Sequence, residues 1–278
     1  MPVRLVAIDI DGTLLDTRWQ LPPRNDEALR RAAARGIEVV LVTGRRYDFA
    51  RPVVELVPDV RLLIVSSGAL TKDRDGTTLA RHVLPRDMAG RVLAATRAWR
   101  SDMAVVFDRP GADQVIYERI DWDDPRHRVY FDRNRDALTE MTPLEVCLTE
   151  DPIQVMAAGG VTTMRGLAAH LASLPDRARI EVALTEYAER DLTIVDVNGA
   201  GVSKGAALTG LARLRGLDRT EIMAIGDNMN DHTMLAAAGV PVVMANAVPE
   251  LKAFGWPETA SNDDAGVAEA IERYILKN

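Results

Sequence analysis

The stretch that most constrains this chain is its first apolar run, Val3-Arg4-Leu5-Val6-Ala7-Ile8-Asp9-Ile10-Asp11-Gly12-Thr13-Leu14-Leu15. A short apolar run rich in β-branched residues predicts a buried strand. This one nevertheless carries two carboxylates, Asp9 and Asp11, where the strand should end. Residues two apart on an extended chain point to one side, and Gly12 lets the backbone turn sharply straight afterwards. Two close carboxylates repel unless a cation or a shared proton relieves them. One reading is therefore a Mg2+ site with one carboxylate left to attack or to move a proton. The other is an Asp-Gly turn closing a hairpin.

The chain's 278 residues, 47% of them hydrophobic, suffice for one large domain or two of ordinary size. A net charge of −7 gives no reason to expect nucleic acid or an anionic membrane as partner. Cys147, the single cysteine, cannot form an internal disulfide and reads as a small buried hydrophobe. Asp9 interrupts the N-terminal apolar stretch, so it does not read as a signal peptide. No run approaches the about twenty apolar residues that span a bilayer. The expectation is a soluble cytoplasmic protein, monomeric or weakly homo-oligomeric.

After the first strand, Arg24 to Arg35 has helical spacing with Gly36 placed to end it, and Ile37 to Val42 reads as a second strand. This β-α-β order predicts a parallel sheet with right-handed crossovers, whose ligands bind at the C-terminal strand edge. Strand two runs into Thr43-Gly44-Arg45-Arg46. A helix at Tyr47 to Leu56 and a third strand at Leu62 to Val65 lead to Ser66-Ser67-Gly68-Ala69. Ala69 to Leu84 reads as a hairpin leaving the sheet. Residues 84–185 have another layout, with helix and strand alternating but no carboxylate at a strand end, and read as an inserted α/β domain. An irregular charged stretch, Asp121 to Arg135, lies within it. The first pattern then resumes with a strand at Leu192 to Val197, a Gly-rich loop into Lys204, and a buried strand ending in Gly226-Asp227-Asn228-Met229-Asn230-Asp231. A doubly wound parallel α/β core at 1–83 and 186–278, carrying an insert, is the expected fold class.

Parallel strands in one sheet would gather Asp9, Asp11, Thr43, Gly44, Lys204, Asp227, Asn230 and Asp231 at a single edge. An acidic cage, an ammonium, and a hydroxyl beside a glycine suit phosphoryl transfer. Mg2+ takes oxygen ligands, and a phosphoryl group needs donors and positive charge. In this order the motifs Asp9-Ile10-Asp11-Gly12-Thr13, Thr43-Gly44-Arg45, Lys204, and Gly226-Asp227 with Asn230-Asp231 resemble those of the haloacid dehalogenase superfamily. The large insert between the second and third motifs resembles its Cof-type branch of sugar-phosphate and metabolite phosphatases.

That resemblance implies Asp9 as nucleophile and Asp11 as the acid, then base, that serves the leaving group and the attacking water. It implies Mg2+ held by Asp9, the backbone carbonyl of Asp11, and Asp227. Thr43 and the Gly44 amide would bind phosphoryl oxygens, Lys204 would neutralise them together with Asp9, and Asp231 would hold the metal's waters or Lys204. Asn230 would contact the phosphoryl group or stand behind its ligands. Arg45 follows the phosphate-binding pair and reaches a phosphate, the cap, or an exposed salt bridge. Relatives usually read Asn-Gly-Ala where this chain has Ser67-Gly68-Ala69, so a Ser67 contact to substrate is shorter in reach. The insert would act as a substrate-choosing cap. Arg119, Arg126, His127, Arg128, Arg133 and Arg135 in it are cations for a second anionic group or solvated charge. His232 reads as a first-turn helix residue rather than a ligand. The substrate implied is a small phosphorylated metabolite, a sugar phosphate first. A phosphomutase, a sucrose- or mannosylglycerate-phosphate type phosphatase, or a non-catalytic metabolite sensor are the alternatives.

Overall fold

The computed structural model describes residues 2–126 and 128–277, except for the side chain of Val129; His127 lies outside the described residues. The chain forms two compact units, residues 1–81 with 203–278 and residues 82–202.

The first unit begins with β1 (Leu5–Ile8), α1 (Pro23–Ala34), β2 (Glu38–Val42), α2 (Tyr47–Leu56), β3 (Leu62–Val65), β4 (Leu70–Asp73) and β5 (Thr78–Arg81). The second holds α3 (Arg86–Ala95), β6 (Met103–Val106), β7 (Val115–Tyr117), α4 (Arg128–Asn134), β8 (Leu138–Glu140), β9 (Gln154–Gly159), α5 (Val161–Ala172), β10 (Ile180–Tyr187) and β11 (Leu192–Gly199). The first unit resumes with α6 (Lys204–Arg215), β12 (Ile222–Gly226), α7 (His232–Ala237), β13 (Val240–Val243), α8 (Pro249–Lys252) and α9 (Gly266–Ile271).

In the first unit the strand order is β13-β12-β1-β2-β3-β4-β5, parallel from β13 to β3. β1 lies inside the sheet, between β2 and β12, which is why it is apolar throughout rather than alternating. Leu5, Ala7, Val40, Val42 and Ala224 pack against Leu208 and Leu211 of α6 and Met234 and Leu235 of α7. Their neighbours Val6, Ile8, Val39 and Leu41 are buried on the opposite side, so both faces of the sheet are covered. Each Val, Leu, Ile or Met among them contributes about 1.5–3 kcal/mol.

The expectation for 69–84 is corrected. The hairpin stays in the sheet, β4 pairing antiparallel with β3 and β5 with β4, and forms its edge. A second difference concerns β11. It pairs antiparallel with β10 and β9 in the six-stranded sheet of the second unit, order β10-β11-β9-β6-β7-β8. The first unit therefore resumes at Ser203 rather than near residue 186. Alternating apolar residues identify a strand but not its partner, and that ambiguity displaced the boundary. The stretch expected to be irregular contains α4, whose few turns carry too many charges to show a clear apolar stripe.

Candidate active site

β1 ends at Ile8, and the carboxylates follow in the turn. Asp9 is still tied to the ladder through its amide, which donates to Ile225 O at 3.1 Å. The chain then bends at Gly12, whose φ of +80° suits glycine. A Cβ there would lie 2.4 Å from Asp227 Oδ2, so glycine lets the two turns close on one another. Thr13 Oγ1 donates to Asp227 Oδ1 at 2.7 Å and orients that carboxylate. Thr13 therefore acts on the carboxylate expected at the metal rather than only filling its motif. Its only signal was a hydroxyl directly after the glycine.

Lys204 is the first residue of α6, with Ser203 capping the helix by accepting from the Ala206 amide. Its Nζ is buried and donates to Asp9 Oδ1 and to Asp231 Oδ1, both at 2.6 Å. Asp231 Oδ2 accepts from the amides of Asp227 and Asn228. Both oxygens of Asp231 are thus committed to holding the lysine and the turn after β12, the second of the two roles expected for it. Carboxylate oxygens of Asp9, Asp227 and Asp231 lie within 4.8 Å of one another.

The electrostatics of this cluster are unbalanced. With all four groups ionised, three carboxylates face one ammonium, a net charge of −2 among buried side chains. Burial pushes the Asp9 carboxyl up to about 7, the charge of Asp231 adds to this, and Lys204 opposes it. Burial also raises Asp227, helped by Asp9 and Asp231. For Lys204, burial acts to neutralise the ammonium, but Asp231 and Asp9 outweigh it and the group is held firmly protonated. A dication is the charge that balances such a site, and hard carboxylate oxygens are the ligands Mg2+ takes. Among the described residues the donor set therefore fits a metal, with Asp9 and Asp227 as the carboxylates not wholly claimed by Lys204.

Asp11 takes a different partner. Arg45 grips its carboxylate with a two-pronged pair, Nε to Oδ2 at 2.7 Å and Nη2 to Oδ1 at 2.6 Å. The guanidinium also lies over Phe49 and Trp19, at 4.6 and 5.5 Å from their ring centres. Of the alternatives foreseen for Arg45 the structure has the salt bridge, made with Asp11 and largely buried rather than exposed. Thr43 is buried at the end of β2 and its Oγ1 accepts from the Arg45 amide at 3.1 Å. Ser67 has φ +55° and its amide donates to Thr43 O, so the Thr43-Gly44 and Ser67-Gly68 turns brace one another. Gly68, at φ +101°, approaches so closely that a Cβ would be 2.3 Å from Ser203 O. Its role is to seat the backbone that leads into Lys204. Asn230 lies in the turn between β12 and α7. His232 begins α7 and packs on Phe254 and Trp256, in keeping with a non-ligand role. In the second unit, Arg126 pairs with Asp124 at 2.6 Å.

The haloacid dehalogenase-like hydrolase family matches residues 6–271, and the chain belongs to that family. Within it the chain stands with the phosphatases. It is 32% identical over 258 residues to an HMP-PP phosphatase of Serratia proteamaculans, covering 90% of this chain and 87% of that protein. It is 28% identical over 300 residues to 5-amino-6-(5-phospho-D-ribitylamino)uracil phosphatase YwtE of Bacillus subtilis, covering 98% of each. A solved haloacid dehalogenase-like hydrolase from B. subtilis shares the fold with a TM-score of 0.82 at 22% identity, covering 98% of this chain and 100% of that one. No helix among the described residues is long and apolar enough to cross a membrane.

Proposed function

We propose that this phosphatase is Mg2+-dependent and hydrolyses a small phosphorylated metabolite, a sugar phosphate first among them, through an aspartyl phosphate on Asp9. The observation that carries the reading is the buried Lys204 bridge between Asp9 and Asp231 beside Asp227. The relatives named for HMP-PP and for a phosphorylated ribityl compound support the substrate class.

Asp9 presents a carboxylate oxygen to phosphorus while Lys204 draws charge from the transferred group. Thr43 and the Gly44 amide receive phosphoryl oxygens at the neighbouring strand end. Asp11, once released from Arg45, gives a proton to the departing oxygen and then takes one from the water that cleaves the acyl phosphate. Asp9, Asp227 and the Asp11 carbonyl would hold Mg2+, which supplies charge neutralisation at the phosphoryl oxygens. The second unit acts as the substrate-choosing cap.

The test is phosphate release from a panel of phosphorylated metabolites and from p-nitrophenyl phosphate, with Mg2+ or with EDTA. Mass spectrometry of quenched reactions would look for a phosphoryl adduct on the Asp9 peptide. Turnover unaffected by EDTA, or an adduct on another residue, would overturn the reading. Transfer of phosphate to a second sugar hydroxyl instead of its release would indicate a mutase.

A further inference from the structure

Asp9 and Asp11 are two carboxylates in one turn, yet only Asp9 joins the acidic cluster with Asp227 and Asp231, while the Asp11 side chain is held by Arg45. Arg45 has little freedom of its own. Two of its nitrogens are on Asp11, and the third, Nη1, donates to Phe49 O at 3.3 Å. Its guanidinium lies against the rings of both Phe49 and Trp19, which meet edge to face with centres 6.5 Å apart. Trp19 in turn is held in an unfavourable backbone. Its φ of +63° is in the left-handed region, which bulky side chains rarely adopt. The surrounding turn enforces it: the Trp19 amide donates to Asp16 O, and the buried Asp16 carboxylate accepts from the amides of Arg18 and Gln20. Such strain persists where the surroundings over-determine it, and it collects at functional sites. Glycine would fit that backbone without strain, but it has no ring to lay against Arg45.

This pinning has a chemical use. A carboxylate committed to a dication is no longer available to move a proton to a departing oxygen. The Asp11 carbonyl is expected at the metal, so its side chain starts within reach of the same ion, and residue type alone does not distinguish it from Asp9. Lys204 cannot draw it away, because its ammonium is taken by Asp9 and Asp231. A guanidinium that presents one donor to each carboxylate oxygen is the partner able to compete. One fixed by two rings and a carbonyl does not follow the carboxylate if it swings toward the ion.

We propose that Arg45, pinned by Trp19 and Phe49, is a positioning residue that keeps the Asp11 carboxylate off the metal, so that of the two carboxylates only Asp9 becomes a ligand and Asp11 is left to turn toward the departing oxygen. The inference rests on the Mg2+-dependent phosphatase reading above. The two aspartates then differ in role because of what grips each of them.

The experiment uses the full chain as wild type, Arg45→Met, Arg45→Lys and Trp19→Gly, each checked for folding by circular dichroism. Mg2+ binding to the substrate-free protein is measured by calorimetric titration. In parallel, kcat/KM is measured for the best alkyl monophosphate of the panel and for p-nitrophenyl phosphate. Nitrophenolate departs without a proton, whereas an alkoxide needs one. Because kcat/KM covers only the steps up to that departure, hydrolysis of the aspartyl phosphate does not enter, and a contact from Arg45 to the phosphoryl group cancels in the alkyl-to-aryl ratio. Arg45→Met should bind Mg2+ about tenfold more tightly and lower that ratio by about a hundredfold. Arg45→Lys, which keeps the charge without the fork, and Trp19→Gly, which keeps the arginine without its pin, should move both readouts the same way by smaller factors. If Arg45→Met fails to fold, these two variants decide. Tighter Mg2+ binding in Arg45→Met alone would reflect only the lost positive charge and overturns the proposal, as does an unchanged ratio in the folded variants. A wild type that binds no Mg2+ and hydrolyses neither ester would instead sink the reading on which it rests.

Discussion

Lys204 is completely enclosed, and an enclosed ammonium survives only because Asp9 and Asp231 each meet it at 2.6 Å. Removing it leaves two buried carboxylates with no counter-charge. Lys204→Met should cost about 3–5 kcal/mol in urea unfolding at neutral pH. The loss should shrink at pH 5, where the raised Asp9 carboxyl is free to take up a proton. An equal loss at both pH values would show that charge is not its cause. Asp9→Asn keeps the shape and removes the attacking oxygen, so phosphate release should fall at least about a thousandfold while the protein stays folded by circular dichroism. The Asp9 carboxyl sits near 7 when folded against 3.8 ordinarily, so between those values the folded state holds a proton that the unfolded chain has lost. Stability of the metal-free protein therefore falls as pH rises across that window. Mg2+ competes with the same proton, so its affinity should weaken as pH falls below about 7, by about tenfold per pH unit for each proton displaced. Melting curves from pH 5 to 8 with and without MgCl2 check both trends, and a Mg2+ effect independent of pH would contradict them. At this scale the sequence was legible where one residue type was anomalous in its setting. Asp9 in an apolar run announced itself, and Lys204 followed from the motif order. The Arg45 grip on Asp11 was not legible, because a guanidinium at a strand end has several carboxylates within reach of its flexible stem.

Among the elements, the turns matter more than the strands. The strand ends were readable because apolar runs stopped at polar residues, and β3 and α2 fall where the pattern put them. What the pattern could not supply was turn-to-turn contact. Gly68 illustrates this: nothing nearby in sequence announces that Ser203 lies against it. With φ +101° and Ser203 O 2.3 Å from a notional Cβ, Gly68→Ala should destabilise by more than about 2 kcal/mol. It should lower turnover as well, since the displaced backbone carries Lys204. Urea midpoints paired with kcat would test it, and a stable variant with normal kcat would show that the turn has slack. β11 shows the complementary failure. It was legible as a strand, but partner choice is a non-local property, and its partners are β9 and β10 of the second unit rather than strands of the first.

Across the whole molecule, each unit has apolar clusters of its own, one including Leu5, Val40 and Leu208, another including Met88, Val105 and Leu167. Separate cores predict separable melting. Differential scanning calorimetry should resolve two components, with Mg2+ raising only the one belonging to the unit that contains Asp9. A single transition moved as a whole by Mg2+ would contradict this.

The interruption of the first unit also has a consequence for synthesis. Asp9 and Lys204 are 195 positions apart, and β1 has β12 as one of its two neighbours. As the chain leaves the ribosome, residues 82–202 are complete as a continuous segment while the earlier segment still lacks β12 and β13 of its seven-stranded sheet. The inserted unit should therefore become protease-resistant first on stalled nascent chains. Asp9 waits without its ammonium until the whole inserted unit between it and Lys204 has been made, so catalytic competence follows the completion of that unit.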